Sequence, residues 1–113
     1  MPIRIGFAKF RQKMLEQELG NIIEMLPQLG IEKAILMGDM VTGDYSPDSR
    51  IELVIIQKTE STFGRRADFF SYHLNSTVAV DTQIFTPEEF ESLRNNLPSL
   101  QEADKRGRVI FDG

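Results

Sequence analysis

The chain has 113 residues, 13 Lys and Arg against 17 Asp and Glu for a formal charge of −4, one His and no Cys. A chain of this length builds one core, burying roughly 65% of its unfolded surface, which excludes a two-domain enzyme. The missing Cys and lone His73 exclude disulfides, thiol nucleophiles, thiolate zinc sites and multi-His centres; any metal must take carboxylate oxygens, which favour Mg, Mn or Ca.

Residues 7 to 26 carry apolar side chains at helical spacing, Leu15, Leu19, Ile22 and Leu26 forming one stripe and Phe7, Phe10 and Met14 an adjoining one. This predicts a first amphipathic helix, weakened at Gly20 and closed by Pro27 and Gly30. Its beginning is basic: Arg4, Lys9, Arg11 and Lys13 precede the first acid, Glu16. The overall negative charge argues against a nucleic-acid footprint, and these cations read as a solvated face. No window approaches the roughly 20 unbroken apolar residues of a membrane span, and MPIRIGFAKFRQKM has no apolar signal core. A cytoplasmic protein without membrane contact is expected.

Lys33 to Met37 reads as a buried strand, followed by the turn-rich loop GDMVTGDYSPDS and a second strand from Arg50 to Ile56. Alternation places Arg50, Glu52, Val54 and Ile56 on one face of it. Phe63, Ala67, Phe70 and Leu74 predict a second helix, and Thr77 to Phe85 a third strand. Thr86-Pro87-Glu88-Glu89 has the N-cap, the helix-starting Pro and the returning Glu of a capping box, so a helix should run from 87 to about 95. Ser99-Leu100-Gln101-Glu102 repeats that box before Gly107 stops the helix and Arg108 to Phe111 forms a last strand. Lys105, Arg106 and Arg108 read as a solvated basic cluster. Phe69, Phe70, Tyr72, Phe85 and Phe90 are expected in the core, His73 at the surface or boundary, and Arg65-Arg66 in solvent.

The stretch ILMGDMVTGDYSPDSRIELVII, residues 35 to 56, resembles the minimal nucleotidyltransferase domains of the DNA polymerase β-like superfamily. There a strand ends in Gly-Ser, a second glycine follows, and the next strand begins Ser-Asp-x-Asp. Gly38, Gly43, Pro47, Asp48, Ser49, Ile51 and Leu53 stand in register with that pattern. VDTQIFTPEEFESL likewise resembles the third-strand carboxylate and the helix start after it, with Asp81 in the carboxylate position. The resemblance covers about two-thirds of the chain. It implies an α+β fold with a mixed β-sheet of about four strands and helices packed against it. It also implies a site in which carboxylates at i and i+2 and a third from a neighbouring strand hold two Mg²⁺ ions. Gly38, Asp39 and Ser49 are then the nucleotide-binding positions.

This sequence departs from the pattern where the chemistry would occur. Arg50 stands in the first carboxylate position, Glu52 in the second, and Asp39 where the phosphate-binding serine belongs. A guanidinium is always protonated and cannot ligate a metal. An internal ion pair is therefore expected, Arg50 replacing metal charge and Asp39, Glu52 or Asp81 replacing phosphate. The leading reading is a catalytically inactive family member acting as a binding or regulatory subunit, with no cofactor. The alternative is an active transferase moving a nucleoside monophosphate from NTP to a hydroxyl, with Mg²⁺ on Glu52 and Asp81 and with Asp39 or Asp48 as substitute ligand. In a third reading Arg50 grips a nucleotide phosphate without transfer. The resemblance implies a separate helical partner of the HEPN type, and a homodimer is equally allowed. Met40 and Val41 read as a locally packed loop or a docking surface, and Tyr45 as packing or as a base-stacking aromatic.

Overall fold

A computed structural model describes residues 2–59, 65–66 and 78–113, with the backbone alone over 2–7. The first helix, α1 (Pro2–Met25), runs through a 3₁₀ turn at Leu26–Leu29 into β1 (Ile31–Met37). A single-turn helix, α2 (Asp39–Thr42), follows, then β2 (Ile51–Gln57) and β3 (Val80–Phe85). Helices α3 (Pro87–Leu93) and α4 (Pro98–Arg106) lead to β4 (Arg108–Asp112). The strands form one mixed sheet in the order β3-β2-β1-β4, with β1 antiparallel to β2 and β4, and β2 parallel to β3. The expected α+β architecture with a four-stranded mixed sheet is present.

Strand alternation divides the core between the two faces of the sheet. Ile51, Leu53 and Ile55 of β2 belong to the cluster that includes Leu15, Leu19 and Ile22 of α1, while Val54 and Ile56 pack with Phe85, Phe90, Leu100 and Ala103 beneath α3 and α4. Leu15 and Leu100 are wholly buried, so truncating either to Ala should remove about 2–5 kcal/mol of stability.

The sequence reading needs several corrections at the ends of elements. Helix α1 starts at Pro2 rather than at 7 and continues through Gly20, whose exposed position limits the penalty to about 1 kcal/mol. At its other end the expectation holds: α1 stops at Met25, just before Pro27, and a 3₁₀ turn over Leu26–Leu29 follows, which Gly30 closes at φ 71°. The box at Thr86 forms, the Thr86 hydroxyl accepting from the Glu89 N–H and the Glu89 carboxylate from the Thr86 N–H. The second expected box does not. Pro98 takes the first helical position, which makes Leu97 the N-cap with no side-chain cap and moves Ser99 inside the helix. Strand β3 begins at Val80 rather than Thr77, and β4 extends to Asp112. Of the expected helix from 63 to 74, only Arg65 and Arg66 lie among the described residues, and they are helical. Phe69, Phe70, Tyr72, His73 and Thr77 fall outside them. Among the described residues, no helix is long and apolar enough to cross a membrane.

Candidate functional site

The positions singled out by the resemblance gather at one end of the sheet, where β1 finishes and β2 and β3 begin. Parallel pairing sets Glu52 beside Asp81, and antiparallel pairing sets Glu52 beside Met37 on its other side. Neighbours in register point to the same face, so the two carboxylates share the α3 and α4 face, beyond Val54 and Gln83.

Arg50 lies two residues before Glu52 and turns to β3. Its Nε sits 3.1 Å from Asp81 Oδ2, the two side chains being 51% and 53% exposed. Of the three acids named as possible partners, Asp81 is the one Arg50 engages. Glu52 is half-buried and enters no ion pair among the described residues. It leans instead over the Gly38 backbone: a Cβ at Gly38 would overlap the Glu52 carboxylate. Gly38 also holds φ 77° and ψ −149°, a region essentially reserved for glycine. The Gly38 carbonyl accepts from the N–H groups of Val41 (3.0 Å) and Thr42 (3.2 Å), which winds α2, and Gly43 ends that turn at φ 84°.

Asp39 takes no part in the Arg50 pair. The Ser49 hydroxyl donates to Asp39 Oδ2 at 2.7 Å and accepts from the Ser46 N–H at 2.8 Å. Ser49 is only 2% exposed, so its hydroxyl is committed within the protein, and its carbonyl accepts from Arg11 Nε at 2.8 Å. Arg11 of α1 thereby fastens the loop that delivers β2. Asp48 is exposed, its N–H bonded to the Ser46 hydroxyl.

The donor set does not suit a pair of divalent ions. Asp81 is bound to a guanidinium, Asp39 is tied to Ser49, and among the described residues no three His, Asp or Glu side chains converge as a metal site. The hollow between Gly38, Val41, Thr42 and the end of α4 measures about 70 Å³, well below the roughly 300 Å³ at which small-molecule pockets begin.

Local packing accounts for the loop's apolar residues. Met40 is buried in the core, and Val41 and Tyr45 pack against it half-exposed. Burial raises the Tyr45 phenol above its ordinary value, with Glu16 and Asp39 adding to the shift and Arg108 opposing it.

Arg66, expected in solvent, is only 8% exposed; it pairs with Glu89 and donates to the Ile84 carbonyl at 3.3 Å. Glu89 therefore serves the capping box and an ion pair together. The Arg66 hydrogen bond, followed by the bond from the Thr86 N–H, holds its carboxyl below the usual range. The box was legible in sequence, but no local signal marks which of two adjacent arginines turns inward. Arg94 was not singled out either: its guanidinium lies 5.2 Å from the Phe90 ring centroid and grips Asp104 at 3.0 and 3.1 Å, tying α3 to α4.

No protein-family model and no curated protein sequence matches the chain. Among solved structures, a 1.40 Å crystal structure of a Sulfolobus solfataricus protein provisionally assigned as a nucleotidyltransferase is similar, with a TM-score of 0.54 and 15% identity over 96% of this chain and 86% of that one. The likeness extends over nearly the whole chain and shows that the fold is nucleotidyltransferase-like.

Proposed function

We propose that this chain is a degenerate member of the minimal nucleotidyltransferase group that has given up nucleotidyl transfer and serves as a binding or regulatory subunit. The observation that carries this reading is the Arg50–Asp81 pair: a fixed positive charge spans the two strands from which metal carboxylates would project. A divalent ion entering there would have to displace the guanidinium from Asp81 and tolerate it nearby, at an electrostatic cost that the half-buried Glu52 and the exposed Asp81 do not offset. Asp39 supports the same reading, since it places an anion beside the glycine turn and spends its hydrogen bonding on Ser49. A subunit of this kind works through a partner, either a helical protein or a second copy.

Restoring the family residues tests the reading. The triple variant Arg50→Asp, Asp39→Ser, Glu52→Asp should acquire calorimetrically measurable affinity for Mg²⁺ and ATP, which the unaltered chain should lack. Failure of the folded variant to gain either would count strongly against the ion pair as the blocking element. Release of pyrophosphate by the unaltered chain from labelled NTP with Mg²⁺ or Mn²⁺ would overturn the reading in favour of an active transferase using Glu52 and Asp81.

A further inference from the structure

Helix α1 carries its charge in two blocks of opposite sign. Arg4, Lys9, Arg11 and Lys13 are the only charged side chains before Met14, and Glu16, Glu18, Glu24 and Glu32 the only ones from Met14 to Glu32. The first turn of α1 holds no acid and its last turn no base, the reverse of what the helix dipole favours. Within one chain the arrangement is unfavourable.

Lys9, Lys13, Glu16 and Glu24 of these blocks lie on the solvent side of the helix, while Arg11 turns to the Ser49 carbonyl. Phe10, Lys13, Gln17, Gly20 and Glu24 are all exposed and recur every three or four residues, with Lys9 and Glu16 exposed beside them, opposite the buried Leu15, Leu19 and Ile22. Phe10 stands in this stripe 62% exposed. Further along lies a shallow hollow of about 270 Å³, lined among the described residues by Met14, Gln17, Glu18 and Asn21. Positions i, i+3, i+4 and i+7 are the set that receives a knob when two helices interdigitate.

We infer that α1 is the interface of a two-fold homodimer, pairing antiparallel with α1 of a second copy. Phe10 of each copy enters the hollow at Met14, Gln17 and Asn21 of the other. That register brings the two Met14 residues together near the axis, sets Lys13 close to Glu16 of the second copy, and levels position 4 with Glu24. Each cationic half meets an acidic half, and the two helix dipoles oppose one another, so the order that is unfavourable in one chain becomes favourable in two. A parallel pair would stack cation on cation. An anionic polymer lying along α1 would be repelled by its acidic half, which favours a second copy over nucleic acid as the occupant.

Sedimentation of the full chain from micromolar to millimolar concentration should show its mass rising from 12.9 kDa toward double, with weaker association at high salt. Phe10→Ser should weaken the dimer by about tenfold or more, as should Lys9→Glu with Lys13→Glu, and Glu16→Lys with Glu24→Lys. The two charge-reversed chains should each be monomeric, yet associate when mixed one to one. All these side chains are exposed, and unchanged circular dichroism confirms that the core stripe still folds. A chain that stays monomeric at millimolar concentration overturns the inference. So does a dimer indifferent to all three changes, or a mixture that fails to associate.

Discussion

Arg50 and Asp81 hold one another across the parallel strands β2 and β3, Nε to Oδ2 at 3.1 Å, with half of each side chain in water. A half-exposed pair of this kind is screened and stabilises a fold by no more than about 1 kcal/mol. Its consequence lies in the charge left at the end of the sheet: with the cation in place, Glu52 and Asp81 cannot act as two neighbouring free anions. Arg50→Met should therefore change unfolding free energy by less than about 1 kcal/mol, and a double-mutant cycle with Asp81→Asn should give a coupling of the same small size. A coupling of several kcal/mol in denaturant unfolding would mean that the pair is a structural keystone and not a replacement for metal charge.

Ser49 should matter more to stability than Arg50 does. Its buried hydroxyl joins Asp39 to the Ser46 N–H, and removing it leaves both without that partner. Ser49→Ala is expected to destabilise by about 1–3 kcal/mol, the range for unsatisfied polar groups out of water. Asp39→Ala in the Ser49→Ala background should add little, because the bond is already gone. Additive losses in urea unfolding would show that the two residues do not act together.

The individual strands and the capping box were legible because each rests on a short-range pattern: alternation marked the two faces of β2, and Thr86 to Glu89 carried its own cap. The mixed sheet and the gathering of Gly38, Glu52 and Asp81 at one end of it were legible only through the resemblance. What stayed hidden depends on contacts between distant segments. Arg11 reaching the Ser49 carbonyl spans 38 residues, and Arg66 reaching Glu89 spans 23. The choice of Asp81 over Glu52 by Arg50 was likewise open, since alternation set both acids on the same face and only the packing of Glu52 over Gly38 separates them. The false box at Ser99 shows the reverse case, a valid local signal displaced by one proline at 98.

Glu89 gives the fold an acid-sensitive point. Its folded pKa lies below the ordinary glutamate range, chiefly through the Arg66 hydrogen bond, so the charged form is favoured in the folded state. The stability linked to it is complete above the unfolded pKa and is lost as pH falls through the depressed folded value. Glu89→Gln should flatten the acid limb of the stability profile. Arg66→Met should move the Glu89 titration midpoint, followed by carboxyl NMR, upward toward its ordinary value. An unmoved midpoint would assign the shift to the Thr86 N–H alone.

Gly38 is constrained twice, by its backbone and by Glu52, and the two can be separated. Gly38→Ala must adopt φ 77° with ψ −149°, at a cost of about 1–3 kcal/mol, and must also push the Glu52 carboxylate aside. Glu52→Ala alone should be mild, because Glu52 makes no ion pair among the described residues. In the double variant the steric part vanishes and the dihedral part remains. The loss at Gly38 should thus be smaller in the Glu52→Ala background than in the unaltered chain, yet not abolished. Equal losses in both backgrounds, measured by denaturant unfolding, would mean that Glu52 does not rest on the glycine turn in solution and leaves it open to an anion.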